Sequence, residues 1–203
     1  MSFPAFFDQA PKIQVHDPLS EFLGAAEGGR IEYGYADAVR LAGHSCPTVA
    51  GAWLMARAGL KALFPDRPAE RGGVAVTMSG HEGEGTTGVI AQVFTLVTGA
   101  AADNGFHGIG GHFVRSGLLG YGSGAEGVAE FQRTDDGAQV RLALDFSSVP
   151  PAPQMRMLMG QAMAPDASAE VRKAFGEVWQ DRVRRLLLEH ADDPGVILVA
   201  RVS

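Results

Sequence analysis

His44 and Cys46 are two residues apart, and Cys46 stands directly before Pro47, which opens a long apolar segment. Proline suits the first helical position, so the spacing predicts that Cys46 caps a helix running from Pro47 to Phe64. Unpaired backbone N–H groups and the positive end of a helix favour negative charge on a sulfur placed there. A thiolate beside an imidazole can bind a transition metal or act as a nucleophile. Zinc, nickel and iron all accept imidazole nitrogen and thiolate sulfur, and catalytic sites leave a position open for water or substrate. The plainer alternative is a buried Cys46 that only caps the helix, with His44 hydrogen-bonded nearby. Cys46 is the single cysteine of the chain, so no internal disulfide can form, which fits a reducing cytoplasm.

Several elements must position this segment. Asp17-Pro18 reads as an N-cap and first helical residue, with Gly24 as the stop of a short helix. Arg30 to Tyr35 reads as a strand, and Asp37 to Ala42 as a brief helix leading to His44. Pro47 to Phe64 is apolar or small almost throughout, the pattern of a buried helix, and Pro65 and Pro68 end it. Val74, Val76 and Met78 alternate as in a strand, and the uncharged run from Gly85 to Ala102 reads as a core helix. Gly99 to Gly127 is too glycine-rich for regular structure and suits close backbone approach to a ligand. Gly127–Thr134 and Ala138–Phe146 predict a hairpin turning at Asp135-Asp136-Gly137. After the break at Pro150, Pro151 and Pro153, an amphipathic helix from Ser168 to Ala191 and a strand from Val196 to Val202 are expected. Helices mixed with an antiparallel hairpin point to an α+β fold, a mixed β-sheet packed with helices.

Composition sets the function classes. The 203 residues support a single domain, with the helix and strand beyond about residue 150 as a C-terminal extension. Net charge is −6, and no basic cluster offers a nucleic-acid phosphate backbone a footprint. The Gly85–Ala102 run approaches membrane-spanning length, but its threonines and bounding glycines fit a core helix, so no membrane partner is expected. The first eight residues lack the charged and apolar regions of a signal peptide. Gly120–Gly124 could cradle a phosphate, but it neither follows a clear strand nor opens a helix, so a flexible loop is the stronger reading. Met155, Met159 and Met163 recur every fourth residue, with Met157 beside them. Copper ligation is conceivable there, but a deformable face packing on a second protein or covering a pocket is commoner.

Gly43-His44-Ser45-Cys46-Pro47, followed by a long small-residue helix, resembles the signature of the FmdE-like (FwdE-like) family, named for a component of formylmethanofuran dehydrogenase. The resemblance extends over about residues 40–120 and includes a later helix ending Leu96-Val97-Thr98-Gly99 and a glycine-rich loop. It implies an α+β domain with a mixed sheet, often a homodimer, that binds a transition metal, usually zinc, with nickel or iron as alternatives. It also implies a place in one-carbon metabolism, with a small polar or anionic molecule as substrate or ligand.

Only His44 and Cys46 carry over from the family pattern. The position two residues before His44, commonly a second histidine in the family, is Ala42, and a family cysteine near the later helix is replaced around Gly88-Val89-Ile90. The remaining metal ligands must come from elsewhere. His81, in Ser79-Gly80-His81-Glu82-Gly83-Glu84-Gly85, falls near the lost cysteine, and Glu82 or Glu84 offers an oxygen ligand or base. His112 lies in the glycine-rich loop, with His107 a further candidate, whereas His16 and His190 lack supporting context. Three activities fit: a metal-dependent enzyme, a metal- or ligand-binding accessory protein or sensor, and a metal-free Cys46 nucleophile with a histidine base.

Overall fold

A computed structural model describes residues 3–202. The fold is α+β, with its strands divided between two mixed sheets. In the smaller sheet, β1 (Ile13–His16) pairs antiparallel with β2 (Arg30–Tyr33) and parallel with β3 (Ala69–Glu70). The larger contains β4 (Val74–Met78), β5 (Leu119–Gly120), β6 (Ala129–Arg133), β7 (Gln139–Leu144) and β8 (Ile197–Val202). Its order is β5-β4-β6-β7-β8, with only the β4–β5 pair parallel. The C-terminal strand is therefore the outer strand of the main sheet, hydrogen-bonded to the predicted hairpin.

Seven helices surround these sheets among the described residues: α1 (Phe6–Gln9), α2 (Pro18–Phe22), α3 (Tyr35–Ala42), α4 (Pro47–Leu63), α5 (Thr87–Thr98), α6 (Met155–Ala162) and α7 (Ala169–Glu189). Helix α4 is central, packing on β7 and β8 on one side and against α3, α5 and α7 on others. That explains why its apolar residues run around the helix instead of forming one stripe: Val49, Trp53, Leu54, Met55 and Ala56 are all fully buried. Gly59 lets α4 lie close to the sheet, since a Cβ there would sit 3.0 Å from Leu142 and Phe131. Phe131 in turn meets Phe94 of α5 edge to face, with ring centroids 4.9 Å apart, so helix, sheet and second helix share one core.

Local signals explain where the elements begin and end. The Asp17 carboxylate accepts the Leu19 and Ser20 N–H groups and caps α2. Helix α3 starts at Tyr35, two residues before the expected position, because the Asp37 carboxylate reaches back to the Gly34 N–H and captures that turn. Helix α5 is shorter than the uncharged run from Gly85 to Ala102. Gly85 has a positive φ, and Gly99 ends the helix in the left-handed region, its N–H bonded to Thr95. The absence of charge in that run marked burial, and helix length was set by the glycines. Strands β1, β3 and β5 were not foreseen, the last two being only two residues long. Among the described residues, no helix is long and apolar enough to cross a membrane.

Candidate functional site

The turn between α3 and α4 is held in place by α7, which lies far away in sequence. Gly43 closes α3 in the left-handed conformation. The Ser45 carbonyl then accepts two side-chain donors from α7, Trp179 Nε1 at 3.0 Å and Gln180 Nε2 at 3.1 Å. Ser45 Oγ donates to Gln180 Oε1 at 3.0 Å, which leaves the Tyr35 hydroxyl, also 3.0 Å away, to donate to Ser45. This closed network satisfies the fully buried Tyr35, whose phenol is pushed far above its ordinary range by burial, only partly offset by the Ser45 hydrogen bond. Ser45→Ala should leave the Tyr35 hydroxyl and Gln180 Oε1 short of a partner. Urea denaturation is expected to show a loss of about 1–3 kcal/mol with an unchanged slope.

Cys46 is the N-cap of α4, its Sγ accepting the Val49 N–H at 3.4 Å, and it is 9% exposed. His44 is exposed, and its Nδ1 lies 2.9 Å from the Ala42 carbonyl oxygen. A carbonyl can only accept, so Nδ1 carries a proton, and in the neutral ring the Nε2 lone pair is left free. A backbone carbonyl that fixes the tautomer in this way is a common support for a metal-ligating histidine. The segment thus presents one free imidazole nitrogen and one capping sulfur on a rigid turn.

The chain matches no protein-family model and no curated protein.

The other candidate residues lie on separate loops and element ends. His81 is exposed, and its ring packs against Gly122, where a Cβ would fall 2.7 Å from Nδ1. His112 is exposed on a separate tight turn, closed by paired backbone hydrogen bonds with Ile109. Its neighbour Phe113 packs on Phe22 of α2. His107 contacts the Ser116 hydroxyl, His16 pairs with Glu21, and His190 pairs with Asp193 just beyond α7. Among the described residues, no three His, Cys, Asp or Glu side chains group closely enough to hold a metal ion. His44, Cys46, His81 and His112 therefore do not close a coordination sphere within one chain.

A cleft of about 450 Å³ runs along α5. Gln92, Thr95 and Leu96 line it from the helix, and Leu41, at the end of α3 and just before the His44 turn, lines it from another side. Glu82, next to His81, and Tyr121, next to Gly122, belong to the same wall. The two histidine-bearing loops are thus neighbours of the cleft in the chain.

Beside the cleft lies a buried ion cluster that the sequence did not reveal. Asp17 accepts Arg71 Nη1 at 2.9 Å and Arg115 Nη2 at 2.8 Å, in addition to its two capping bonds. Burial works against the Asp17 charge, but hydrogen bonds from Arg71 and Ser20 and the nearby positive charges outweigh it. The carboxyl is held below its ordinary value of 3.8. The Asp17 signal in the sequence was local and fully explained by capping, and nothing in it pointed 54 or 98 residues ahead to its arginine partners.

Proposed function

We propose that the protein binds a transition-metal ion, zinc foremost with nickel and iron as alternatives, through Nε2 of His44 and Sγ of Cys46. The observation that carries this reading is the Nδ1 contact of His44 with the Ala42 carbonyl. It leaves Nε2 as a free donor two residues from a helix-capping sulfur. Nitrogen and sulfur together suit a borderline-soft ion better than magnesium or calcium. Two donors are half of a tetrahedral set, so the site is open. His81 and His112, both exposed on loops, are the proposed further ligands, supplied by a second copy in a homodimer. The exposed Leu198 and Val199 on the outer strand, and Met157 and Met163 near α6, fit such a second copy.

A bound zinc ion supplies Lewis acidity toward a polar or anionic group. The chain's own residues orient the ligands: Trp179 and Gln180 fix the Ser45 carbonyl, and Ala42 fixes the His44 ring. The cleft along α5 is the compartment for a small polar or anionic metabolite; the family resemblance supports a role in one-carbon metabolism, and the single cysteine supports the cytoplasm. Open coordination favours ligand binding and catalysis over a closed structural zinc site.

Elemental analysis of protein purified without a metal-affinity step should find about one equivalent of metal per chain, and Cys46→Ser should lose most of it. Full retention of metal by Cys46→Ser would refute the assignment.

A further inference from the structure

The cleft along α5 has a braced arginine in its wall. Arg71 lines it and is held rigid by two bonds, Nε to the Leu96 carbonyl at 3.2 Å and Nη1 to Asp17. Its Nη2 has no hydrogen-bond partner among the described residues, and the Arg71 side chain is 24% exposed. Asp17 is the only carboxylate among the described residues that makes an ion pair with Arg71 or Arg115, and it pairs with both. Its Oδ1 already accepts three donors and its Oδ2 one, so it has little left to give. Two guanidinium groups share one saturated carboxylate as their ion-pair partner, the Glu70 charge also acts on Arg115, and of the two arginines Arg71 is the one that lines the cleft. A guanidinium already fixed in place loses little freedom on binding an oxyanion and offers it a directional donor.

The rest of the wall is equipped for a ligand. The side chains of Gln92, Thr95, Asn104 and Tyr121 all line the cleft, and none makes a hydrogen bond among the described residues. Glu82 shares the wall with Tyr121, whose phenol is raised by burial and by the Glu82 charge, which places these two groups near each other. Arg71 lies instead against Leu96 and Gly99, at the C-terminal end of α5. The cleft is therefore electrically polar, with a cation at one end and an anion elsewhere on its wall. A volume of about 450 Å³ matches a small metabolite.

We propose that the cleft binds a small organic anion, with its carboxylate or phosphate on Arg71 Nη2 and a hydroxyl or amino group directed toward Glu82. This inference rests on the reading of the cleft as the ligand compartment and does not require the metal.

The test is two-dimensional NMR of the full chain, with and without zinc, titrated with 4-hydroxybutyrate, succinate, inorganic phosphate and the neutral 1,4-butanediol. The expected result is saturable shifts at the Gln92 and Asn104 side-chain amides with 4-hydroxybutyrate, weaker ones with succinate, and none with butanediol. Saturable shifts with inorganic phosphate that are lost in Arg71→Gln would support the anchor and extend it to phosphate groups. Glu82→Gln should bring succinate up to the level of 4-hydroxybutyrate. Arg71→Gln should weaken binding roughly tenfold or more, the worth of one charge-assisted hydrogen bond. Because Arg71 also braces Asp17, Thr95→Phe provides a second variant, filling the cleft without touching the ion cluster, and it should abolish the shifts. Anion binding that persists without zinc supports the anchor even if the metal assignment fails. Absence of saturable shifts with every anion would overturn the proposal. So would binding that needs zinc and survives Arg71→Gln, since the anion would then sit on the metal.

Discussion

Asp17→Asn is expected to lower the stability of the protein by about 3–5 kcal/mol at neutral pH, the usual effect of removing one partner from a buried ion pair. Asparagine is as good an N-cap as aspartate, so the bonds to the Leu19 and Ser20 N–H groups can survive. What the variant loses is the charge that holds Arg71 and Arg115 together, leaving a buried Arg115 without its ion-pair partner. The same cluster predicts a pH dependence. The folded-state pKa of Asp17 is lowered, so its contribution is complete above the ordinary value of 3.8 and is lost as the pH falls through the lower folded value. Wild-type stability should therefore drop on acidification through that range, and the gap between wild type and Asp17→Asn should narrow. Urea denaturation at stepped pH measures both, and a gap that stayed constant into strong acid would mean that the cluster does not carry the effect.

The second large effect concerns the metal. Loss of an outer partner of a metal ligand typically weakens metal binding about 10–100-fold, and His44→Ala removes a ligand itself, so a fall of more than about 100-fold in zinc affinity is expected. Competition against a chromophoric chelator measures it. His16→Ala is the matched control: His16 is engaged with Glu21, and its loss should leave zinc affinity unchanged. Zinc binding should also weaken toward acid pH, because imidazole and thiol must both give up protons to bind. Equal losses in the two variants would indicate general surface binding by histidines instead of a site at His44.

Much of the fold was legible because its signals were local. Asp17-Pro18, Cys46-Pro47 and Asp135-Asp136-Gly137 each fix a cap or turn within four residues, and helix α2, helix α4 and the β6–β7 hairpin follow. Helix α5 was overextended because an uncharged run reports burial, whereas Gly85 and Gly99 report backbone conformation. Long-range relations were not legible. The grip of Trp179 and Gln180 on Ser45 links residues 134 and 135 positions apart, and Trp179 read only as part of an amphipathic helix. Strand β3 is two residues long, too short for any period to show. At the site, sequence spacing joined His44 to Cys46, and the structure adds the Ala42 contact that frees Nε2. His81 and His112 were chosen for their loops, and loop position in sequence says little about convergence in space.

The most direct test of the central claim is X-ray absorption at the zinc edge of the zinc-loaded protein. The account predicts a first shell containing one sulfur at about 2.3 Å and at least one imidazole nitrogen at about 2.0–2.1 Å, the distances usual for cysteine and histidine ligands. A shell of nitrogen and oxygen alone, with no sulfur, would contradict it.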